Sequence, residues 1–325
     1  MSKLLNVAIL VFPACQALDV TGPAAVFEAG NFVLGSAYYK VHILAAKSGA
    51  IQTNSAVRLM ARSISDLSPH SVDTLLIAGG SVSGLESMVA DDRVRKWVVL
   101  ASRTARRYGS VCTGTFALAH FGLLDGKRVA THWSACADLA AQWPNADVDK
   151  QSLFVNVGRL WTSAGVTTGI DMSLDMVASD LGNAVANGVA KRLVLYARRP
   201  GYQSQFSPVL SAQSQADAPF AALVLWMREN LSKQLDVPRL AEKVYMSERT
   251  FVRHFIKSIG ETPARFVETL RLDEARSLFA TSMSIKEIAA RTGYATGAQL
   301  SKAFNRRFGM SPQLFRELHC YRERE

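Results

Sequence analysis

Four cysteines stand in 325 residues, at positions 15, 112, 136 and 320, and no two form a Cys-X-X-Cys pair. So few thiols at such irregular spacing exclude a disulfide framework and point to a reducing compartment, the cytoplasm. The six histidines are scattered without zinc-ligand spacing, so neither a metal nor a cofactor is expected. The first apolar run, Leu4–Cys15, is far shorter than a membrane span and has one Lys ahead of it. It reads as a buried strand, and no membrane partner is expected.

Acidic residues are the scarcer charge, 27 against 37 Lys and Arg, for a net +10. The imbalance is uneven. From Ala218 onward there are 18 basic and 12 acidic residues, against 19 and 15 in the first 217. The density of excess positive charge is about three times higher in the C-terminal third, a bias that suits a polyanion.

The first 190 residues alternate buried-strand runs (Leu5–Phe12, Val41–Ala46, Thr74–Ala78, Tyr108–Val111) with helical patterns (Ala24–Leu34, Asp92–Arg103, Thr115–Phe121, Ser134–Gln142, Gly169–Asn183). That alternation predicts an open α/β domain with a parallel sheet between helices. Ligands collect at the carboxyl ends of such strands. Three turns there carry glycine or a reactive group: Ala78-Gly79-Gly80, Cys112-Thr113-Gly114 and Ala164-Gly165. The stretch GSVCTGTFALAHFGLLDG (109–126) runs from strand to helix through Cys112. A cysteine at such a turn is either an exposed thiol beside a helix N-terminus, where a lowered pKa is expected, or a small buried hydrophobe. Residues 200–217, rich in Ser, Gln and Pro, read as a linker between domains at 1–199 and 218–325.

Beyond it the pattern is purely helical, and it repeats. Phe255-Ile-Lys-Ser-Ile-Gly260-Glu-Thr-Pro263 recurs 49 residues on as Phe304-Asn-Arg-Arg-Phe-Gly309-Met-Ser-Pro312. In copy one, Asp236 and Ser247 cap two short helices, with Leu240, Val244, Phe251, Phe255 and Ile259 buried. In copy two, Ser284 with Glu287 forms a capping box, Gly293 supplies a left-handed stop, and Thr296 caps a helix that buries Leu300, Phe304 and Phe308. This is helix-turn-helix spacing, twice. Subtracting the buried positions leaves Arg249, Thr250, Val252, Arg253 and Lys257 on one second helix, and Ala298, Gln299, Lys302, Asn305 and Arg306 on the other. Arg and Gln read purine edges in a major groove, while Lys and Arg further along reach phosphates. Double-stranded operator DNA is the expected partner, contacted by Arg249, Thr250, Arg253, Lys257, Ala298, Gln299, Lys302 and Arg306.

The phrases LAEKVYMSERTFVRHF, RLDEARSLF, SIKEIAARTGYATGAQLSKAFNRRFG and MSP resemble the tandem helix-turn-helix domain of AraC/XylS-type transcription regulators. Family members often have Ser or a larger residue where Ala298 stands, so base reading by copy two leans on Gln299 and Lys302. The phrases LVFPACQALDVTGPAAVFEAG, LLIAGG, VCTGTFALAHFGLLDGKRVATHW and TSAGVTTGIDMSLDMVA resemble the ThiJ/PfpI branch of the glutamine amidotransferase-like superfamily. Together they resemble regulators of the GlxA-type architecture, in which the first domain senses and the second acts. The resemblance implies a flavodoxin-like sandwich that forms homodimers, and RNA polymerase as a further partner if the protein activates. It also implies an elbow thiol at Cys112 and an acidic neighbour, Asp19, placed at the end of the first strand.

The candidate pocket is Asp19, Gly79, Gly80, Cys112, Thr113, His132, Trp133 and Gly165. The amides of Gly79, Gly80 and Thr113 are expected to face an oxyanion, and Asp19 is expected to be protonated and to lower the thiol pKa. PfpI-type peptidases have a His after the cysteine; Thr113 stands here instead, so peptidase activity is not expected. Two functions remain for this domain. One is sensing of a small molecule, an amino acid or amine, without turnover; the other is a retained Cys112-dependent hydratase- or amidase-like activity.

Overall fold

The computed structural model describes residues 4–195, 198, 199, 201, 205, 218–279, 281–308 and 310–319, which fall into two units dividing after Gln205. Most of the stretch read as a linker lies outside the described residues, as does Cys320. Gly201 and Gln205 are described, and both bond to the first unit: Phe154 N–H donates to Gly201 O (3.2 Å) and Gln205 N–H to Gln151 O (2.7 Å).

The first unit is built on strands β1 (Leu5–Leu10), β2 (Tyr39–Ala45), β3 (Gly49–Gln52), β4 (Arg58–Ser63), β5 (Thr74–Ile77), β6 (Arg107–Val111), β7 (Arg128–Val129), β8 (Asp147–Val148), β9 (Phe154–Val157) and β10 (Leu160–Ser163). Its helices are α1 (Ala17–Leu34), α2 (Val82–Val89), α3 (Asp92–Thr104), α4 (Thr115–His120), α5 (Cys136–Gln142) and α6 (Thr168–Arg192). Eight strands form one sheet in the order β3-β4-β2-β1-β5-β6-β10-β9, and β7 and β8 pair separately. The interior of the sheet is parallel. Its two edges, β3 on β4 and β9 on β10, are antiparallel. The non-alternating apolar runs are the interior strands, buried on both faces; every residue of β5 and β6 is buried. Helix α1 packs with α6, and α2 packs with α3 and α4. The unit is a mostly parallel sheet between helices, as the sequence predicts.

The chain leaves β1 on one side for β2 and returns on the other for β5. The strand order therefore reverses at β1, and a crevice opens at the carboxyl ends of β1 and β5. One boundary differs from expectation in a way that matters there. The helix is expected from Ala24, yet α1 begins at Ala17, with the Gln16 side chain accepting from Leu18 N–H (3.4 Å). Strand β1 ends at Leu10, so Asp19 sits in the first turn of α1 and not at the end of the strand. Helix α6 runs past the expected Asn183, with a break at Gly182 (φ 83°).

The second unit is helical: α7 (Ala218–Glu229), α8 (Val237–Lys243), α9 (Glu248–Ile259), α10 (Pro263–Leu278), α11 (Ile285–Arg291), α12 (Gly297–Phe308) and α13 (Pro312–His319). Its starts are set by side-chain caps. Asp236 accepts from Arg239 N–H (3.2 Å), Ser247 from Thr250 N–H (3.4 Å) and Thr296 from Gln299 N–H (3.2 Å). Ser284 and Glu287 cap each other reciprocally. The repeat extends to ring geometry. Phe255 meets Phe266 edge-on at 5.5 Å and 73°; 49 residues on, Phe304 meets Phe315 at 5.4 Å and 72°. Phe251, Phe255, Leu300 and Phe304 are fully buried, whereas Val244, Ile259 and Phe308 are half-buried.

Candidate functional site

Strand β6 ends at Val111 and the chain turns through Cys112–Gly114 into α4. The turn holds Cys112 at φ 58°, a left-handed conformation rare for a side-chain-bearing residue. Two glycines make room for it. A Cβ on Gly79 would fall 2.7 Å from Cys112 Cβ and 2.8 Å from Asp19 Oδ2. One on Gly165 would fall 2.2 Å from Cys112 Cβ and 2.7 Å from Sγ. The cysteine carbonyl is fixed by the hydroxyls of Thr131 (3.0 Å) and Thr115 (3.2 Å).

The Asp19 carboxyl is fully buried beside this turn. Its Oδ2 accepts from Gly79 N–H (3.1 Å) and its Oδ1 from Val166 N–H (2.7 Å). Burial pushes Asp19 up to about 6, opposed by the Val166 and Gly79 amides and by the Cys112 thiol, all of which bond the charged form. Burial, and then repulsion from Asp19, pushes the Cys112 thiol up to about 12, opposed by the amide and hydroxyl of Thr113.

Three expectations change here. Cys112 is not a low-pKa thiol: it is 8% exposed, and lost solvation outweighs the adjacent amide. Burial moves Asp19 toward its protonated form, as expected, but the carboxylate raises the thiol pKa instead of lowering it. The expected oxyanion donors are already committed. Gly79 N–H serves Asp19, Gly80 N–H serves Thr113 Oγ1 (2.9 Å), and Thr113 N–H serves the sulfur.

The structure thus brings together Asp19, Gly79, Cys112, Thr113 and Gly165, with Gly80 joined through Thr113. His132 and Trp133 follow Thr131, whose hydroxyl meets the Cys112 carbonyl. The His132 ring meets Ser134 Oγ (2.8 Å) and lies 5.4 Å from the Trp133 ring; burial holds its pKa below the usual range. Sequence reasoning missed Val166, the amide on Asp19, and Thr131, the hydroxyl on the Cys112 carbonyl. The only sequence signal for Val166 is its place beside Gly165. A cleft of about 370 Å³ opens beside Gly80 and Thr113, walled by Phe116, His120, Asp138 and Trp143 among others. Phe116 and His120 both meet Trp143 edge-on, at 5.7 and 5.5 Å. Glu86 also lines the cleft, and among the described residues no Lys or Arg does. Among the described residues, no group of three or more His, Cys, Asp or Glu is placed to hold a metal ion. No described helix is long and apolar enough to cross a membrane.

In the second unit, Arg249, Arg253 and Lys257 are exposed on α9, and Ala298, Gln299, Lys302, Asn305 and Arg306 on α12. Thr250 is half-buried, its hydroxyl accepting from Ser247 Oγ (2.9 Å). Val252 is half-buried against the aromatic core. Arg306 forms an ion pair with Glu268 of α10, which draws it from a purely phosphate-facing role. Both helices match the helix-turn-helix arrangement, a short capped helix leading by a tight turn into a second. Tyr245 (φ 57°) makes the left-handed turn in copy one, and Gly293 (φ 76°) in copy two.

Residues 5–179 match the model of the DJ-1/PfpI family, and residues 240–318 that of a helix-turn-helix domain. HTH-type transcriptional regulator GbdR of Pseudomonas aeruginosa is 28% identical over 284 residues, covering 87% of this chain and 76% of that protein. Isonitrile hydratase of Pseudomonas putida is 30% identical over 200 residues, covering 62% of this chain and 82% of the hydratase. A solved ThiJ/PfpI family protein from Pseudomonas syringae superposes with a TM-score of 0.54 at 24% identity, covering 74% of this chain and 89% of its own. That last likeness concerns the fold alone.

Proposed function

This chain belongs to the DJ-1/PfpI family and carries an AraC-type helix-turn-helix domain, and we propose that it is a DNA-binding transcription regulator controlled by a small molecule held in its first unit. DNA binding rests on the repeated helix pair, whose outward residues Arg249, Arg253, Lys257, Gln299 and Lys302 are exposed. Control by a ligand rests on the cleft beside the Cys112 turn. Its walls carry the carboxylates of Glu86 and Asp138 and the rings of Phe116, His120 and Trp143, a lining suited to a cationic amine or the amino group of an amino acid. A regulator needs unequal ligand affinity in two states and not turnover. The buried, protonated thiol and the committed amides favour binding over catalysis. A second copy joined through the first unit would present two pairs of reading helices to one operator. RNA polymerase is the further partner if the protein activates.

The experiment is a thermal-shift screen of the full chain against amines and amino acids, followed by operator binding with each hit. A hit that shifts both melting and DNA affinity supports the reading. Hits that never alter DNA affinity would argue against ligand control.

A second reading, Cys112-dependent hydration, draws on one observation: the thiol is hydrogen-bonded to the Asp19 carboxylate, the pairing of a nucleophile with a neighbouring base. Turnover of an isocyanide that disappears in Cys112→Ser would establish it.

A further inference from the structure

The two helix pairs close their first helices with the same left-handed turn. In copy one, Tyr245 N–H donates to Glu242 O (3.0 Å) and Met246 N–H to Ala241 O (3.0 Å). In copy two, 48 residues on, Gly293 N–H donates to Ala290 O (3.4 Å) and Tyr294 N–H to Ala289 O (2.8 Å). Tyr245 and Gly293 therefore hold the same position, at φ 57° and 76°. It is a position that glycine fills without steric strain and a tyrosine does not.

The copies differ in what surrounds it. At Gly293 the turn faces the packed domain, where a Cβ would fall 2.2 Å from Leu231 O and 2.6 Å from Arg271 Nη2. At Tyr245 it faces solvent, and the residue is 98% exposed. The inward apolar contact of each turn comes from the next residue. Met246 packs against the aromatic core of copy one, and Tyr294 is half-buried at the matching place. Tyr245 thus holds a large ring in water on a strained backbone, and no contact among the described residues offsets either penalty. Such a break with local preference marks a functional position.

The partner follows from the place. Tyr245 lies two residues before Ser247, the N-cap of α9. In a helix-turn-helix the start of the second helix meets base edges, and the walls of that groove are sugar and phosphate. The exposed neighbours balance in charge, Lys243 and Arg249 against Glu242 and Glu248. What the turn offers a duplex is a neutral donor and a ring.

We propose that Tyr245 is a DNA-backbone contact of copy one. Its hydroxyl donates to a phosphate oxygen beside the major groove entered by α9, and its ring lies along the adjoining deoxyribose. Copy two presents Gly293 there, so this contact sets the register of the first helix pair alone. The proposal rests on the DNA-binding reading and adds a contact that lies outside the basic faces of α9 and α12.

The test uses the full chain, a duplex selected by the wild type from a random-sequence pool, and a scrambled version of that duplex. Tyr245→Gly should raise the melting temperature without DNA and yet weaken binding about fivefold or more. Tyr245→Phe keeps the ring, loses the donor, and should weaken binding about threefold. A backbone contact carries no sequence information, so both losses should recur on the scrambled duplex. The hydroxyl is neutral, so the salt dependence of binding should stay that of the wild type. Affinity within twofold of wild type in Tyr245→Gly overturns the proposal, and lost transcriptional control in that case puts the ring on a protein. A lower melting temperature in Tyr245→Gly overturns it too, because the ring then has a partner within the chain. Loss confined to the selected duplex moves the side chain onto a base and overturns the backbone contact. A wild type that binds neither duplex sinks the DNA-binding reading itself; unaltered variants beside a binding wild type sink the contact alone.

Discussion

The backbone amide of Val166 donates to Asp19 Oδ1 at 2.7 Å, across 147 positions of sequence. With the Gly79 amide on Oδ2, it lets a fully buried carboxyl carry charge beside a buried thiol. The order of the two acidities, carboxyl far below thiol, follows from this arrangement and governs what the site does.

Asp19→Ala should lower the Cys112 pKa. The sign follows from charge: an anion beside the sulfur disfavours thiolate, and removing it removes that penalty. Burial is the larger cause and remains, so the thiol should still titrate above its ordinary value. The pH profile of iodoacetamide labelling, followed peptide by peptide, measures this. An unchanged or raised midpoint would contradict the assignment of Asp19 as the ionised partner.

Stability of the first unit should fall between about pH 4 and 6. Asp19 has a folded pKa raised to about 6 from an ordinary 3.8, so the native state binds its proton more tightly than the unfolded chain. Its contribution is full below the unfolded value and is lost as pH rises through the folded one, a change of about 3 kcal/mol. Urea unfolding at pH 4 and pH 7, in wild type and Asp19→Asn, isolates the effect. The variant should flatten that drop.

The two helix-turn-helix copies should respond oppositely at their left-handed turn. A Cβ on Gly293 would meet Leu231 O at 2.2 Å and the Arg271 guanidinium at 2.6 Å. Gly293→Ala should therefore cost more than about 2 kcal/mol, from strain and from displaced groups. Tyr245 adopts φ 57° with its side chain 98% exposed, so Tyr245→Gly should stabilise by about 0.5–1 kcal/mol. Thermal unfolding of both variants tests the pair, and a destabilised Tyr245→Gly would show that the ring has a partner.

Arg253→Ala should cost about 1–3 kcal/mol on the cognate operator and relax specificity at one base. Equal loss on random DNA would place Arg253 on phosphate alone. Arg306→Ala should cost less, because Glu268 already holds that guanidinium. Titrations at matched salt against operator and scrambled duplexes compare the two.

What the sequence determined by itself is what local physics dictates. Short non-alternating apolar runs between turn residues read as interior strands, and they are β1, β2, β5 and β6. Asp236, Ser247, Ser284 and Thr296 cap helices wherever a short polar side chain precedes an amphipathic run. The 49-residue repeat carried even the pairing of Phe304 with Phe315, because equal spacing on equal helices places equal rings together. The start of α1 at Ala17 lies ahead of the expected Ala24, and Pro23 within its early turns is compatible with a helix begun earlier.

The chemistry of the site was decided only by the tertiary structure. Cys112 and Asp19 were legible as neighbours, but their acidities depend on how much water each loses and on which amides reach them. Those amides come from Gly79 and Val166, remote in sequence. Nor does any local signal mark Arg199 or Gln205, whose partners Asp171, Thr167, Thr131 and Ser152 meet them only once the sheet is assembled. Periodicity and capping act within a few residues and are written in sequence. Burial and long-range hydrogen bonds depend on the whole packed unit, and they turned an expected reactive thiol into a protonated one.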